Sequence, residues 1–111
     1  MGGQETRNYE GMFIIVPTLN EEALEKMLKG IEEAIKKHGG EIKEGQRWGK
    51  RRFTYRIGKY EEGVYHLLRF RCLSSAISEL RSICKLNENI LRVLIISADN
   101  KDQTRGGAQN G

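Results

Sequence analysis

The segment Tyr9-Glu10-Gly11-Met12-Phe13-Ile14-Ile15-Val16 closes on an unbroken apolar run that stops at Pro17, the single proline of the chain. The run is too short for a helix and rich in β-formers, so it predicts a central strand buried on both faces. The period then changes. Pro17-Thr18-Leu19-Asn20-Glu21-Glu22 reads as a helix start, with Asn20 as N-cap and the two glutamates against the positive end of the dipole. Leu24, Met27, Leu28, Ile31, Ala34 and Ile35 fall on one helical face, and Glu and Lys fill the other. Lys36, Lys37 and His38 crowd the last turn and Gly39-Gly40 stops it, which predicts a helix over about Asn20 to His38.

From Glu41 to Arg56 the apolar signal thins to Trp48, Phe53 and Tyr55, with Ile57 just beyond. Phe53, Tyr55 and Ile57 alternate at period two and predict a half-buried strand, while Gly45 and Gly49 suggest bulges or bends. Tyr60-Glu61-Glu62-Gly63 reads as a turn, and Val64 to Cys72 as a second strand forming a hairpin with the first. In that strand Val64, His66, Leu68, Phe70 and Cys72 lie on one side, with Tyr65, Leu67, Arg69 and Arg71 on the other. Ser74 or Ser75 caps a shorter helix whose face is Ile77, Leu80, Ile83 and Cys84. Asn87-Glu88-Asn89 turns the chain into a last apolar strand, Ile90 to Ile96.

Strand, helix, strand, strand, helix, strand with right-handed crossovers is an α+β, ferredoxin-like βαββαβ plait. It has a four-stranded, antiparallel-biased sheet with both helices on one face. The first strand and the one after the hairpin are expected together at its centre. The opposite face has no helix to cover it, and its aromatics and arginines make it a candidate docking surface for RNA or a protein. The folded domain is expected over residues 7–97, after a flexible extension at 1–6 and before a disordered tail at 98–111.

Composition narrows the function. The 111 residues suit one domain, with 38% apolar and 31% charged side chains and a mean hydropathy of −0.59. Neither a run long enough to cross a bilayer nor a secretion signal is evident, which predicts a soluble intracellular protein away from membranes. Cys72 and Cys84 lack the number and spacing of a metal knuckle, and His38 and His66 stand far apart. The material for zinc or triad chemistry is therefore absent, and we expect neither an enzyme nor a cofactor. Cys72 and Cys84 read as small core residues, and His66 as a packed side chain rather than a base.

The net charge of +4 is unevenly placed. Residues 1–35 hold three basic and seven acidic side chains, whereas residues 36–59 hold nine basic and two acidic. Such a surplus can hold phosphates by Coulomb attraction and counterion release, or simply solvate the surface. Its densest part is Arg47-Trp48-Gly49-Lys50-Arg51-Arg52-Phe53-Thr54-Tyr55-Arg56. Arginines there offer forked donors, and the aromatics can stack on bases or anchor a protein. Arg92 sits inside an apolar strand, where it either snorkels to the open side or meets a phosphate or partner. Lys85 follows the second helix, where a cation is favoured with or without a ligand.

Together these residues resemble the family of bacterial small-ribosomal-subunit protein six. Arg7-Asn8-Tyr9-Glu10 is similar to its opening Arg-x-Tyr-Glu. Trp48 to Lys59 is similar to its Gly-x-Arg-x-Leu-Ala-Tyr-Pro-Ile-x-Lys signature, with Thr54 in place of alanine and Arg56 in place of proline. Leu86-Asn87-Glu88-Asn89-Ile90-Leu91-Arg92 matches the entry into its last strand. The resemblance runs from about Arg7 to Ser97. It implies a non-catalytic structural constituent of the small ribosomal subunit, in the cytoplasm or an organelle. It also implies binding to small-subunit rRNA in the platform together with protein eighteen, and a monomer outside the ribosome, with no small-molecule substrate. By motif it assigns Arg7, Tyr9, Arg51, Lys59, Lys85 and Arg92 to gripping rRNA or supporting the partner. Trp48, Phe53, Tyr55 and Leu67 would pack into the sheet or against protein eighteen.

The same plait also hosts acylphosphatases and small-molecule regulatory domains. An acylphosphatase needs an arginine-bearing phosphate loop after the first strand, and Val16-Pro17-Thr18-Leu19-Asn20 supplies neither arginine nor glycine. A regulatory domain would self-associate and bind a metabolite.

Overall fold

The computed structural model describes residues 5–98. Its elements are β1 (Thr6–Ile15), α1 (Glu21–Lys37), β2 (Glu41–Ile57), β3 (Tyr60–Leu73), α2 (Ala76–Leu86) and β4 (Ile90–Ser97). The sheet order is β2-β3-β1-β4, and all three pairings are antiparallel. This is the expected plait with one correction. The strand that follows the hairpin, β4, lies at an edge, and β3 joins β1 at the centre. The physical reason is in the side chains: β3 is buried on both faces over His66, Leu67 and Leu68, whereas β4 alternates and exposes Arg92, Leu94 and Ile96.

Helix α1 forms as its sequence dictates. The Asn20 side chain accepts from the Ala23 amide at 2.8 Å, so one orphan donor of the first turn is satisfied. Leu24, Leu28, Ile31 and Ile35 are the buried stripe. Gly39 takes φ +84° to end the helix, and the Gly40 amide returns to the Ile35 carbonyl at 2.8 Å. Helix α2 departs more from expectation. Ser75 precedes it but makes no side-chain capping bond, and the buried face is Ala76, Leu80 and Cys84. Ile83, expected on that face, is 44% exposed, because it lies at the flank of the Ala76, Leu80 and Cys84 stripe rather than at its centre.

The hairpin turn also moves. Ile57 pairs with Tyr60, so Gly58-Lys59 makes the turn and Tyr60–Gly63 belongs to β3. Gly58 at φ +59° allows so short a reversal. Strand β2 starts at Glu41, well before Phe53, and its register slips between Ile42 and Glu44, Arg47 and Gly49, and Arg52 and Ile57.

The core lies between the sheet and the helices. Phe13, Ile15, Leu68, Phe70 and Cys84 are its largest fully buried side chains. Thr6 opens β1, and Ala98 is buried past β4. The rest of the expected extension and tail, residues 1–4 and 99–111, lies outside the described residues.

His66 is buried on β3, and its Nδ1 has no hydrogen-bond partner among the described residues. Burial, helped by the Arg47 charge, holds its pKa below the ordinary 6.5. The unfolded chain therefore takes up a proton near pH 6.5, whereas the folded chain takes it up only at lower pH. Stability should be full above that pH and fall as the pH drops below it. Urea unfolding at pH 7.5 and 5.5 should show a larger loss for the native sequence than for His66→Gln. Equal losses would mean that His66 stays neutral in neither state or in both.

Candidate RNA- and protein-binding surfaces

Two surfaces are built from the sheet, one basic and one apolar. Pairing of β1 with β3 ends at Ile15 with Val64, while β2 and β3 stay paired through Arg51 with Gly63 and Arg52 with Glu62. Residues 51–62 therefore form an arm beyond the end of β1. The arm carries Arg51, Arg52, Arg56 and Lys59 against Glu61 and Glu62. The Arg51 guanidinium sits 5.7 Å from the Trp48 ring centroid, and Lys59 Nζ 5.6 Å from that of Tyr60. Arg52 and Arg56 share Glu61 at 3.4 and 3.9 Å. These pairs are solvent-exposed and weak, so a phosphate can displace them. Tyr55 is 83% exposed on the same arm.

Phe53 roots the arm on the helix-free face, its ring centroid 6.3 Å from that of Tyr65. Gly63 makes that contact possible, since a Cβ there would come within 2.8 Å of Phe53 Cζ and 2.9 Å of Ile14 Cγ2.

Along the helix-free face the registers set side chains in rungs. Leu67 lies opposite Met12 and Gln46, with Leu94 beyond Met12; Arg69 lies opposite Glu10 and Glu44, with Ile96 beyond Glu10. These residues apart from Glu44, together with Trp48, line a groove of about 350 Å³. Leu67 is buried in its floor, whereas Leu94 and Ile96 are 59% and 52% exposed. A polar chain crosses the groove. Trp48 Nε1 donates to Gln46 Oε1 at 3.1 Å, and Gln46 Nε2 donates to Glu44 Oε2 at 2.7 Å. Arg69 then donates from Nη1 to Glu44 Oε1 at 3.4 Å and from Nε to Glu10 Oε2 at 2.8 Å. The Glu10 side chain is only 8% exposed, so this last ion pair is sheltered from water.

The residues singled out in the sequence separate cleanly. Arg51, Lys59 and Tyr55 stand on the arm, Phe53 at its root, and Trp48 and Leu67 in the groove. Arg92 is exposed on the groove's face, one rung from Leu94 and opposite Ile14. Arg7, the second residue of β1, pairs with Glu5 at 3.6 Å, and Lys85 is exposed in the last turn of α2. Tyr9 is in the core on the helix side, its ring stacked on Phe70 at 5.9 Å between centroids. The sequence reading missed the Glu10–Arg69–Glu44–Gln46 chain and the exposure of Leu94 and Ile96. The alternation of Arg92, Leu94 and Ile96 was the available signal for the latter.

Burial pushes the Cys84 thiol up to about 11 and raises that of Cys72, so both are protonated at neutral pH and neither is a ready nucleophile.

The family profile of ribosomal protein S6 matches residues 8–97. The small ribosomal subunit protein bS6 of Desulforamulus reducens is 38% identical over 90 residues, covering 81% of this chain and 95% of that one. That of Protochlamydia amoebophila is 42% identical over 97 residues, covering 86% and 85%. The crystal structure of 30S ribosomal protein S6 from Thermotoga maritima superposes with a TM-score of 0.83 at 31% identity, over 95% of this chain and 99% of that one. With a family match that takes in both helices and all but the first two residues of the sheet, the chain belongs to the ribosomal protein S6 family, whose members are structural, non-enzymatic proteins of the small ribosomal subunit.

Proposed function

We propose that this chain binds small-subunit rRNA through the β2–β3 arm and a partner, protein eighteen, through the helix-free sheet face. The separation of a basic arm from an apolar groove carries the reading. Arg51, Arg52, Arg56 and Lys59 project beyond the end of β1 and suit a phosphate backbone. Tyr55 stands among them and can stack on a base. Trp48, Leu67, Leu94 and Ile96 line a surface too apolar for phosphates and suited to protein. Arg92, beside the groove, belongs with the partner contacts, and Phe53 holds the arm to the sheet. Arg7 and Lys85 are exposed cations at the margins, and Tyr9 serves by fixing β1 against the core.

The test is binding to a platform rRNA fragment, with and without protein eighteen, across a salt series. Partner-dependent binding that weakens as salt rises is the expected result. Absence of binding in both conditions, with a folded chain and an active partner, would overturn the reading. A homodimer under those conditions would put a self-associating role in its place.

A further inference from the structure

Trp48 and Arg51 stand three residues apart on β2, and in a regular strand their side chains would leave by opposite faces of the sheet. They do not. Arg47 pairs with His66 and Gly49 with its neighbour Tyr65, so Trp48 is the extra residue of a bulge, with Gly49 at φ +90° beside it. The bulge shifts the alternation by one. Trp48 in the groove then shares the helix-free face with Arg51, which lies opposite Gly63.

The two side chains meet there. The Arg51 guanidinium lies over the indole, 5.7 Å from its centroid, and Nη2 donates to the Trp48 carbonyl at 3.4 Å. The indole is a held platform, because Nε1 donates to Gln46, whose own amide donates to Glu44. Arg51 also differs from its neighbours on the arm. Arg52 and Arg56 are occupied by Glu61, whereas Arg51 makes no ion pair among the described residues. A guanidinium over a ring keeps most of its five in-plane donors directed outward.

We infer that Trp48, a wall of the groove, is also the positioning residue for Arg51 and holds its guanidinium edge-on to an RNA phosphate. This rests on the reading of the arm as the RNA surface. An arginine already fixed on a ring loses less rotamer freedom when the phosphate arrives than one free in solvent.

Binding of the full-length protein to the platform rRNA fragment is measured across a salt series, with protein eighteen at a concentration that saturates each variant. The variants are Trp48→Leu, Trp48→Phe, Arg51→Gln and the Trp48→Leu/Arg51→Gln pair, each first shown to be folded by its melting curve. Arg51→Gln should weaken binding about three- to fivefold and lower the slope of log affinity against log salt by about 0.7–0.9, the share of one phosphate contact. Trp48→Leu removes no charge, yet it should lower both quantities by most of those amounts. Trp48→Phe, which keeps a ring face, should restore both. With Arg51 already replaced, Trp48→Leu should cost nothing more. A Trp48→Leu loss that leaves the slope intact, or that is equally large in the Arg51→Gln background, would mean that the indole acts in its own right and would overturn the inference. So would a Trp48→Leu variant that binds like the native protein. If Arg51→Gln changes neither quantity while the native protein binds in a salt-dependent way, the inference falls and the arm reading stands. A native protein that does not bind removes the arm reading itself.

Discussion

Replacing Arg51, Arg52, Arg56 and Lys59 together by glutamine should weaken binding to the platform rRNA fragment about 10²–10³-fold at 0.1 M salt, and should reduce the slope of log affinity against log salt by about 3. The argument is counterion release. Each cation that meets a phosphate frees condensed ions, and the four side chains stand on one arm beyond the end of β1. Glutamine is shorter but still polar and hydrogen-bonding, and it removes the charge, so the change in slope reports the electrostatic part. Glu61 gives a control of opposite sign. It now offsets Arg52 and Arg56, and Glu61→Gln should tighten binding slightly. Binding of protein eighteen, followed by Trp48 emission, should be unchanged in the quadruple variant. An unchanged salt slope would remove the arm from the RNA interface.

Phe13→Ala is the substitution expected to affect stability most, by about 3–5 kcal/mol. Phe13 has no exposed surface and lies at the centre of the sheet's helix side. Its ring is fitted closely enough that a Cβ at Gly11 would come within 3.0 Å of it and within 3.2 Å of Phe70. Truncation leaves a cavity that β1 cannot close, because β3 and β4 hold it on both sides. With an m-value of about 1–1.5 kcal/mol/M, the urea midpoint should fall by about 2–5 M. That loss is a large share of the roughly 5–15 kcal/mol of a typical domain, so Phe13→Leu is the companion variant, with an expected loss of about 1 kcal/mol. A midpoint unchanged in both variants would mean that the core does not close around this ring.

What could be read beforehand depended on how regular each element is. Helix α1 was legible nearly to the residue, since its stripe, cap and glycine stop all agree. Strand β1 was legible because nothing polar interrupts Met12 to Val16. Strand β2 was not, because three register slips break its alternation and only the stretch around Phe53 keeps period two. The hairpin turn was misplaced because Glu61, Glu62 and Gly63 have turn composition, yet Gly58 is where the backbone takes a positive φ. For the surfaces, the basic segment announced the arm. The groove could not be read in the same way, since Glu10, Glu44 and Arg69 come from three strands and meet only through the register.

The position of β1 has a consequence for how the protein is made. The strand synthesised first sits between β3 and β4, so its pairing is complete only when the strand synthesised last has been added. At about 5–20 residues per second, the interval from Ile15 to Ile90 is roughly 4 to 15 s. During it the β1 edge that will accept β4, with Met12 and Ile14 along it, remains open on a nascent chain. Another unfinished chain could pair there, so the final eight-residue strand closes the fold and also ends the molecule's period of greatest exposure to aggregation.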